Sequence, residues 1–148
     1  MGMVYCLIHD HVFSEEKTDR KELGFYGTVA DADAARQVAL KLPGFEDQPD
    51  NFAILPFRID DEDGEGAPPE FFFTLFYDQE TVHRDAAGQV LYYTDIEKTV
   101  GVYSTAVKAA QALVARLGEP DYADHPSNFR IYRGELNHAG WETGFATA

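Results

Sequence analysis

Residues 3–13, MVYCLIHDHVF, form an apolar run rich in β-branched and aromatic side chains and too short for a helix, which predicts a strand. On it Val4, Cys6, Ile8 and Asp10 face one way, and Tyr5, Leu7, His9 and His11 the other. The polar stretch SEEKTDR (14–20) reads as a turn, and residues 23–26 as a short return strand. At Thr28 the pattern changes. A hydroxyl followed three residues on by the carboxylate of Asp31 is a helix N-terminal signature. The helix is expected to run to about Leu42, with Ala34, Ala35, Val38, Ala39 and Leu42 in one stripe. Pro43 and Gly44 stop it. Residues 52–59, FAILPFRI, predict a third strand, with Pro56 suggesting an edge position or a bulge.

The same order then recurs. FFFTLFYD (71–78) predicts a strand, residues 85–88 a turn, and VLYYTD onward to Tyr103 the return. Thr105 caps a second helix, expected over 106–117, with Ala106, Ala109, Ala110, Leu113, Val114 and Leu117 on its apolar face. Residues 129–136 predict the last strand. Shifting the chain by 77 positions places residues 21–60 on 98–137 without a gap and with 13 identities in 40 positions. Unrelated segments would give roughly two or three by composition. The identities include Gly24/Gly101, Tyr26/Tyr103, Pro43/Pro120, Asp47/Asp124, Asn51/Asn128 and Phe52/Phe129. Leu7 and Asp10 meet Leu75 and Asp78 at an offset of 68, so the second hairpin is nine residues longer.

The expected fold is therefore α+β: two tandem ββαβ repeats with pseudo-twofold symmetry, sharing a mainly antiparallel sheet covered by two helices. Residues 1–60 are the first repeat and 61–70 an acidic Gly/Pro linker. Residues 71–148 are the second repeat, with a longer hairpin and a C-terminal WETGF tail, all in one shared globular domain. Residues kept by both copies are first of all those the fold requires: Tyr26 and Tyr103 as hairpin anchors against the helices, Asn51 and Asn128 as turn formers before the third strand.

Gly101 to Thr105, the Ala-rich helix, Leu42-Pro43-Gly44-Phe45 with Pro49, and the closing Trp141-Glu142-Thr143-Gly144-Phe145 resemble a group of small bacterial domains of uncharacterised function. Their pattern is a GxYS strand end, an Ala-rich helix, an LPGF loop and a closing WxxGF. The first copy lacks the Trp segment, and the second has Gly118-Glu119-Pro120 in place of LPG. The resemblance implies the fold unit and no catalytic residue.

Charge narrows the function. The chain of 148 residues carries −14, of which −10 falls within residues 1–70. Such a field repels nucleic acid and anionic membranes and attracts basic partners, solubility being the plainer explanation. The single cysteine, Cys6, excludes an internal disulfide framework and fits a reducing compartment; within VYCLI it reads as a buried, inert thiol. The N-terminus lacks the pattern of a signal peptide and no apolar run reaches membrane-spanning length, so a cytoplasmic protein is expected. There is no GxSxG elbow, and Gly64-Glu65-Gly66 is too acidic to cradle phosphate. Residues 60–69 do not match the twelve-residue calcium loop.

Three functional expectations remain. The first is a non-enzymatic acidic binding module of the bacterial immunity-protein kind, neutralising a basic toxin or enzyme through Asp60, Asp61, Glu62 and Asp63, with Tyr92, Tyr93 and Trp141 as aromatic anchors and no cofactor. The second is a metal-dependent enzyme or ligand-binding module around His9 and His11, which share a strand face, with Glu15, His125 or His138 as a third ligand. Against it, the second copy has Tyr77 and Gln79 at those positions. The third is a homodimeric structural or regulatory domain joined at its edge strands.

Overall fold

The computed structural model describes residues 2–14 and 17–139. It is α+β, with strands β1 (Met3–Ser14), β2 (Lys17–Tyr26) and β3 (Phe52–Arg58) around helix α1 (Val29–Ala39), and strands β4 (Phe71–Arg84), β5 (Val90–Tyr103) and β6 (Phe129–Glu135) around helix α2 (Ala106–Arg116). Short 3-10 turns, Pro49–Asn51 and Pro126–Asn128, lead into β3 and β6. The second hairpin turns between Arg84 and Val90, as expected, whereas the first is longer than the hydrophobic pattern suggested. In the first, the pairing continues from Tyr5↔Tyr26 out to Ser14↔Lys17, so most of the stretch expected as a turn is strand.

Two separate antiparallel sheets form, ordered β2-β1-β3 and β5-β4-β6, in place of the single shared sheet expected from sequence. The reason lies in the central strands, which are apolar on both faces and need cover on each. Tyr5 and Leu7 on one face of β1 pack with Leu23, Tyr26, Ala32, Ala39 and Phe45 beneath α1. Leu75 and Tyr77 on β4 pack likewise with Tyr103, Ala109, Tyr122 and Phe129 beneath α2. The opposite faces meet each other: Val4, Cys6, Ile8, Phe25 and Ile59 close on Phe72, Phe76 and Val102. The layers thus run helix, sheet, sheet, helix. A sheet joined edge to edge would have left that inner set in water, at about 25 cal/mol per Å² of apolar area.

Each helix starts where its sequence signal placed it. Thr28 Oγ1 accepts from Asp31 N at 3.0 Å and Thr105 Oγ1 from Lys108 N at 3.1 Å. The buried stripes follow expectation at Ala35, Ala39 and Leu42 and at Ala109, Leu113 and Leu117, with Ala32 added; Val38 and Val114, expected in them, are each 67% exposed. One turn of small residues is enough, because the sheet approaches the helix closely at alanine.

Glycine explains the strand end before each helix. Beside a bulge between Leu7 and Ile8, Gly24 sits at φ +130°, and a Cβ there would lie 3.0 Å from the Tyr26 hydroxyl. Gly101 lies beside the matching bulge between Leu75 and Phe76, and a Cβ on it would overlap the Tyr103 ring. The tyrosine folds back over the glycine two residues earlier, which is why the two types recur as a pair.

The two sheets are joined by reciprocal contacts. Asp60 N donates to Val102 O at 2.9 Å, and Asn137 N to Phe25 O at 2.8 Å. Asp60 and Asn137, at φ 57° and 59°, are in the left-handed region that Asp and Asn tolerate. Asp60 Oδ1 accepts from Ser104 N at 2.8 Å, and Asn137 Oδ1 from Gly27 N at 3.0 Å. Among the described residues, no helix is long and apolar enough to cross a membrane.

Candidate functional site

The inner faces of the two sheets are apolar at one end and polar at the other, where the sheets enclose a cleft of about 1460 Å³. Ile8, Phe25, Leu55, Phe76 and Tyr132 supply its apolar lining; Asp19, Glu22, Asp78, Glu97 and Glu135 supply carboxylates, and Arg20, Lys21, Lys98 and Arg133 supply cations. Strand alternation puts them there: Asp10 continues the Val4, Cys6, Ile8 face of β1, and Asp78 continues the Phe72, Thr74, Phe76 face of β4.

The two halves differ at this point. Asp10 is directly opposite Arg20 in the β1–β2 ladder, and the pair is bidentate, Nε to Oδ1 at 2.7 Å and Nη2 to Oδ2 at 3.0 Å. Asp78 occupies the same place in the β4–β5 ladder, but it faces Glu97. Burial chiefly, and then the Asp78 charge, raises the Glu97 carboxyl above its ordinary range. Glu22 lies deeper. Burial first, then the charge of Glu97, pushes it up to about 8, against a weak hydrogen bond from Thr99 Oγ1 at 3.4 Å. A carboxyl that keeps its proton near neutral pH therefore sits inside the cleft, beside Glu97.

The acidic loop is held at its start. The Asp60 carboxylate accepts from Ser104 N, from the Ser104 hydroxyl and from Lys108 Nζ at 3.1 Å, and its side chain is only 4% exposed. Burial alone would raise it; the Ser104 and Lys108 contacts overcome that and hold it below the usual carboxylate range. Asp60 thus fastens the loop to α2, while Asp61, Glu62 and Asp63 are exposed beyond it. Asp61 also has positive φ, 58°, which turns the chain sharply outward.

His9 and His11 do share a face, with ring centroids 5.8 Å apart, and both are buried. His9 is fully enclosed between Phe45 and Phe52, at 4.8 and 4.6 Å, and its Nε2 is 2.9 Å from Gln48 O. Tyr77 occupies the corresponding slot between Tyr122 and Phe129, at 4.7 and 4.8 Å. The ring is a packing element under the helix in both halves. Burial, partly offset by the Gln48 carbonyl, lowers the His9 pKa and keeps the ring neutral. Among the described residues, no group of three or more His, Cys, Asp or Glu is placed to hold a metal ion. Glu15, the nearest expected third ligand in sequence, lies outside the described residues, whereas His125 and His138 are exposed.

The aromatic supply is mostly spent on the two-sided core. Phe72 and Phe76 face the other sheet, Tyr77 faces α2, and Phe71 is 41% exposed beneath the Arg133 guanidinium, 4.3 Å away. Tyr92 is half-buried and stacks on His83 at 4.2 Å, on the part of the β4–β5 hairpin that extends past β6. The side chain of Tyr93, and Trp141 entirely, lie outside the described residues. Cys6 is fully buried, and desolvation, followed by the nearby Glu22, pushes its thiol far up, as an inert thiol requires.

Sequence reasoning missed Glu22, Asp78 and Glu97 as a group. The signal was present: at the offset of 77 Arg20 falls on Glu97, so the partner of one inward aspartate reverses its charge between the two aligned stretches. No family model, curated protein or solved structure matches the chain.

Proposed function

We propose that the chain is a non-enzymatic acidic module that binds a basic protein, of the kind represented by cytoplasmic bacterial immunity proteins that neutralise a basic toxin or enzyme. The observation that carries this is the exposed carboxylate run Asp61-Glu62-Asp63, fastened by the Asp60 clasp to Ser104 and Lys108 within a chain of net charge −14. A fixed acidic loop costs less ordering entropy on association than a mobile one, and its field speeds encounter with a cationic surface. Tyr92 stands as an aromatic anchor on the long hairpin, with Tyr93 and Trp141 completing the set.

The architecture belongs to the same proposal. The two halves are tandem copies of one ββαβ unit related by a pseudo-twofold axis, as in the small bacterial domains the motifs resemble. The reciprocal pairs Asp60–Val102 and Asn137–Phe25, each displaced by 77 residues, support it. A duplicated unit needs its partner-binding features in only one copy, and the acidic run occurs only after the first.

The test is a pull-down from lysate of the source organism at low and high salt, with wild-type chain and with Asp61→Lys, Glu62→Lys, Asp63→Lys combined. One basic protein, recovered stoichiometrically, weakened by salt and lost with the variant, is the expected result. Equal recovery by the variant, indifferent to salt, would remove the electrostatic basis.

A further inference from the structure

We propose that the cleft between the sheets is a docking groove for an extended, arginine-bearing segment of the protein partner. One guanidinium would sit between Asp78 and Glu97, in the place that Arg20 fills in the other half of the molecule. This rests on the basic-partner reading above and names where a basic side chain of that partner is held.

The comparison within the chain carries the inference. Asp10↔Arg20 and Asp78↔Glu97 are the same register positions of two equivalent ladders, and both face the inner side. In the first, a bidentate ion pair satisfies the aspartate. In the second, two carboxylates stand directly opposite each other, an arrangement that costs stability in a sheet. Among the described residues, no ion pair engages Asp78 or Glu97. The nearby Arg130 forms no ion pair with Glu97 but lowers its carboxyl pKa through its charge, while its Nη1 donates to the carbonyls of Ser127 and Phe129, at 2.7 and 2.9 Å. Two positions further along the same ladder Glu80 is opposite Asp95, so like charge recurs along this arm, at a cost that an incoming cation would offset.

The occupant's chemistry follows from the surroundings. A planar guanidinium presents two parallel donors to carboxylates, and the first half shows that this geometry is met by this ladder. With no group of three metal-binding side chains among the described residues, a divalent ion is the poorer match. The groove's apolar lining suits the aliphatic part of an arginine and apolar neighbours on either side of it. Val82, four residues beyond Asp78 on the same face by strand alternation, is 38% exposed and extends that apolar surface along the arm. Glu22, protonated at neutral pH, would lose its proton when a guanidinium arrives nearby, so binding should release protons.

The experiment uses a fluorescein-labelled heptapeptide of alternating valine and arginine, read by anisotropy at low salt, with a valine–glutamate peptide as the control. Glu97→Arg rebuilds the Asp10–Arg20 arrangement within the chain. It should weaken the peptide at least tenfold while leaving the thermal midpoint equal or higher. Glu97→Gln, which removes the charge without adding bulk, should weaken it severalfold, and Glu46→Arg, an equal change of charge on the exposed loop behind α1, by no more than about twofold. Equal loss in Glu97→Arg and Glu46→Arg would mean bulk charge alone and overturn the groove. Binding that survives Glu97→Arg but is lost when Asp61, Glu62 and Asp63 are neutralised would overturn the groove and leave the basic-partner reading standing. A wild-type chain that ignores the arginine peptide would overturn both.

Discussion

Replacing Glu22 by Gln should make the protein more stable in base and leave it unchanged in acid. The carboxyl is pushed from an ordinary 4.5 up to about 8, first by burial between the sheets and second by Glu97. An acid with a raised folded pKa binds its proton more tightly in the native state than in the unfolded chain. Its contribution is therefore fully present below the unfolded pKa and is lost as pH rises through the folded one. Between about pH 4.5 and 8 the wild type should lose on the order of 1.4 kcal/mol per pH unit from this group, about 5 kcal/mol at most. Gln has nearly the same shape, keeps a partner for Thr99, and carries no charge to desolvate. Thermal unfolding by circular dichroism, run on both proteins from pH 4 to 9, isolates the effect, since every other carboxylate is common to the two. The curves should coincide near pH 4 and separate steadily above pH 5. By pH 9 the variant should melt on the order of 10 °C higher, at about 2–4 °C per kcal/mol for a chain of this size. A difference that stays flat with pH would mean that Glu22 ionises freely, and would remove the desolvation between the sheets assigned to it.

Three further substitutions test other parts of the structure. His9→Tyr grafts the residue of the second half into the matching aromatic slot; the fold should be kept. The wild type's loss of stability as pH falls below the ordinary histidine range, expected because the native ring has a lowered pKa, should shrink in acid melts. Asp60→Ala should cost on the order of 2–4 kcal/mol in neutral urea titrations by removing the clasp to Ser104 and Lys108, and the gap should narrow as pH falls, because a depressed carboxyl contributes only while ionised. Gly101→Ala should cost about 1–3 kcal/mol through overlap with the Tyr103 ring, whereas Gly118→Ala, with open space around it, should be neutral or slightly stabilising; equal effects would refute the glycine–tyrosine pairing.

Much of the fold was legible because local signals and packing agreed. The Thr28 and Thr105 caps, the long return to Tyr103 and the opposite faces of β1 all follow from side-chain periodicity, which the backbone obeys residue by residue. The count of sheets was not legible in the same way. Alternation says that Val4, Cys6 and Ile8 share a face and that Tyr5 and Leu7 share the other, but both sets are apolar, so the pattern demands two covers without naming them. Only the long-range contacts assign α1 to one face and the opposite sheet to the other. The helix stripes were legible at Ala39, Leu42, Ala109 and Leu113 but overreached at Val38 and Val114, because alanine signals close approach poorly and a larger apolar residue at the stripe's edge is drawn into it.

The site divides along the same line. His9 and His11 stood out because histidine is rare and chemically suggestive, while the aligned second stretch offered the packing reading, since Tyr77 fills the equivalent aromatic slot at nearly the same ring distances. Glu22, Asp78 and Glu97 were invisible among 26 acids because their meaning lies in register, which pairs residues far apart in sequence. Comparison of the two three-stranded sheets makes such pairs readable. Where both halves hold the same residue, as with Asn51 bonded to Asp10 O and Asn128 to Asp78 O, the geometry is the same and the role is structural. Where one half holds an ion pair and the other has glutamate in place of arginine, the fold tolerates either, since both ladders form with the same register. Stability alone then favours Arg20 over Glu97, so the reversed charge points to what approaches the second ladder from outside.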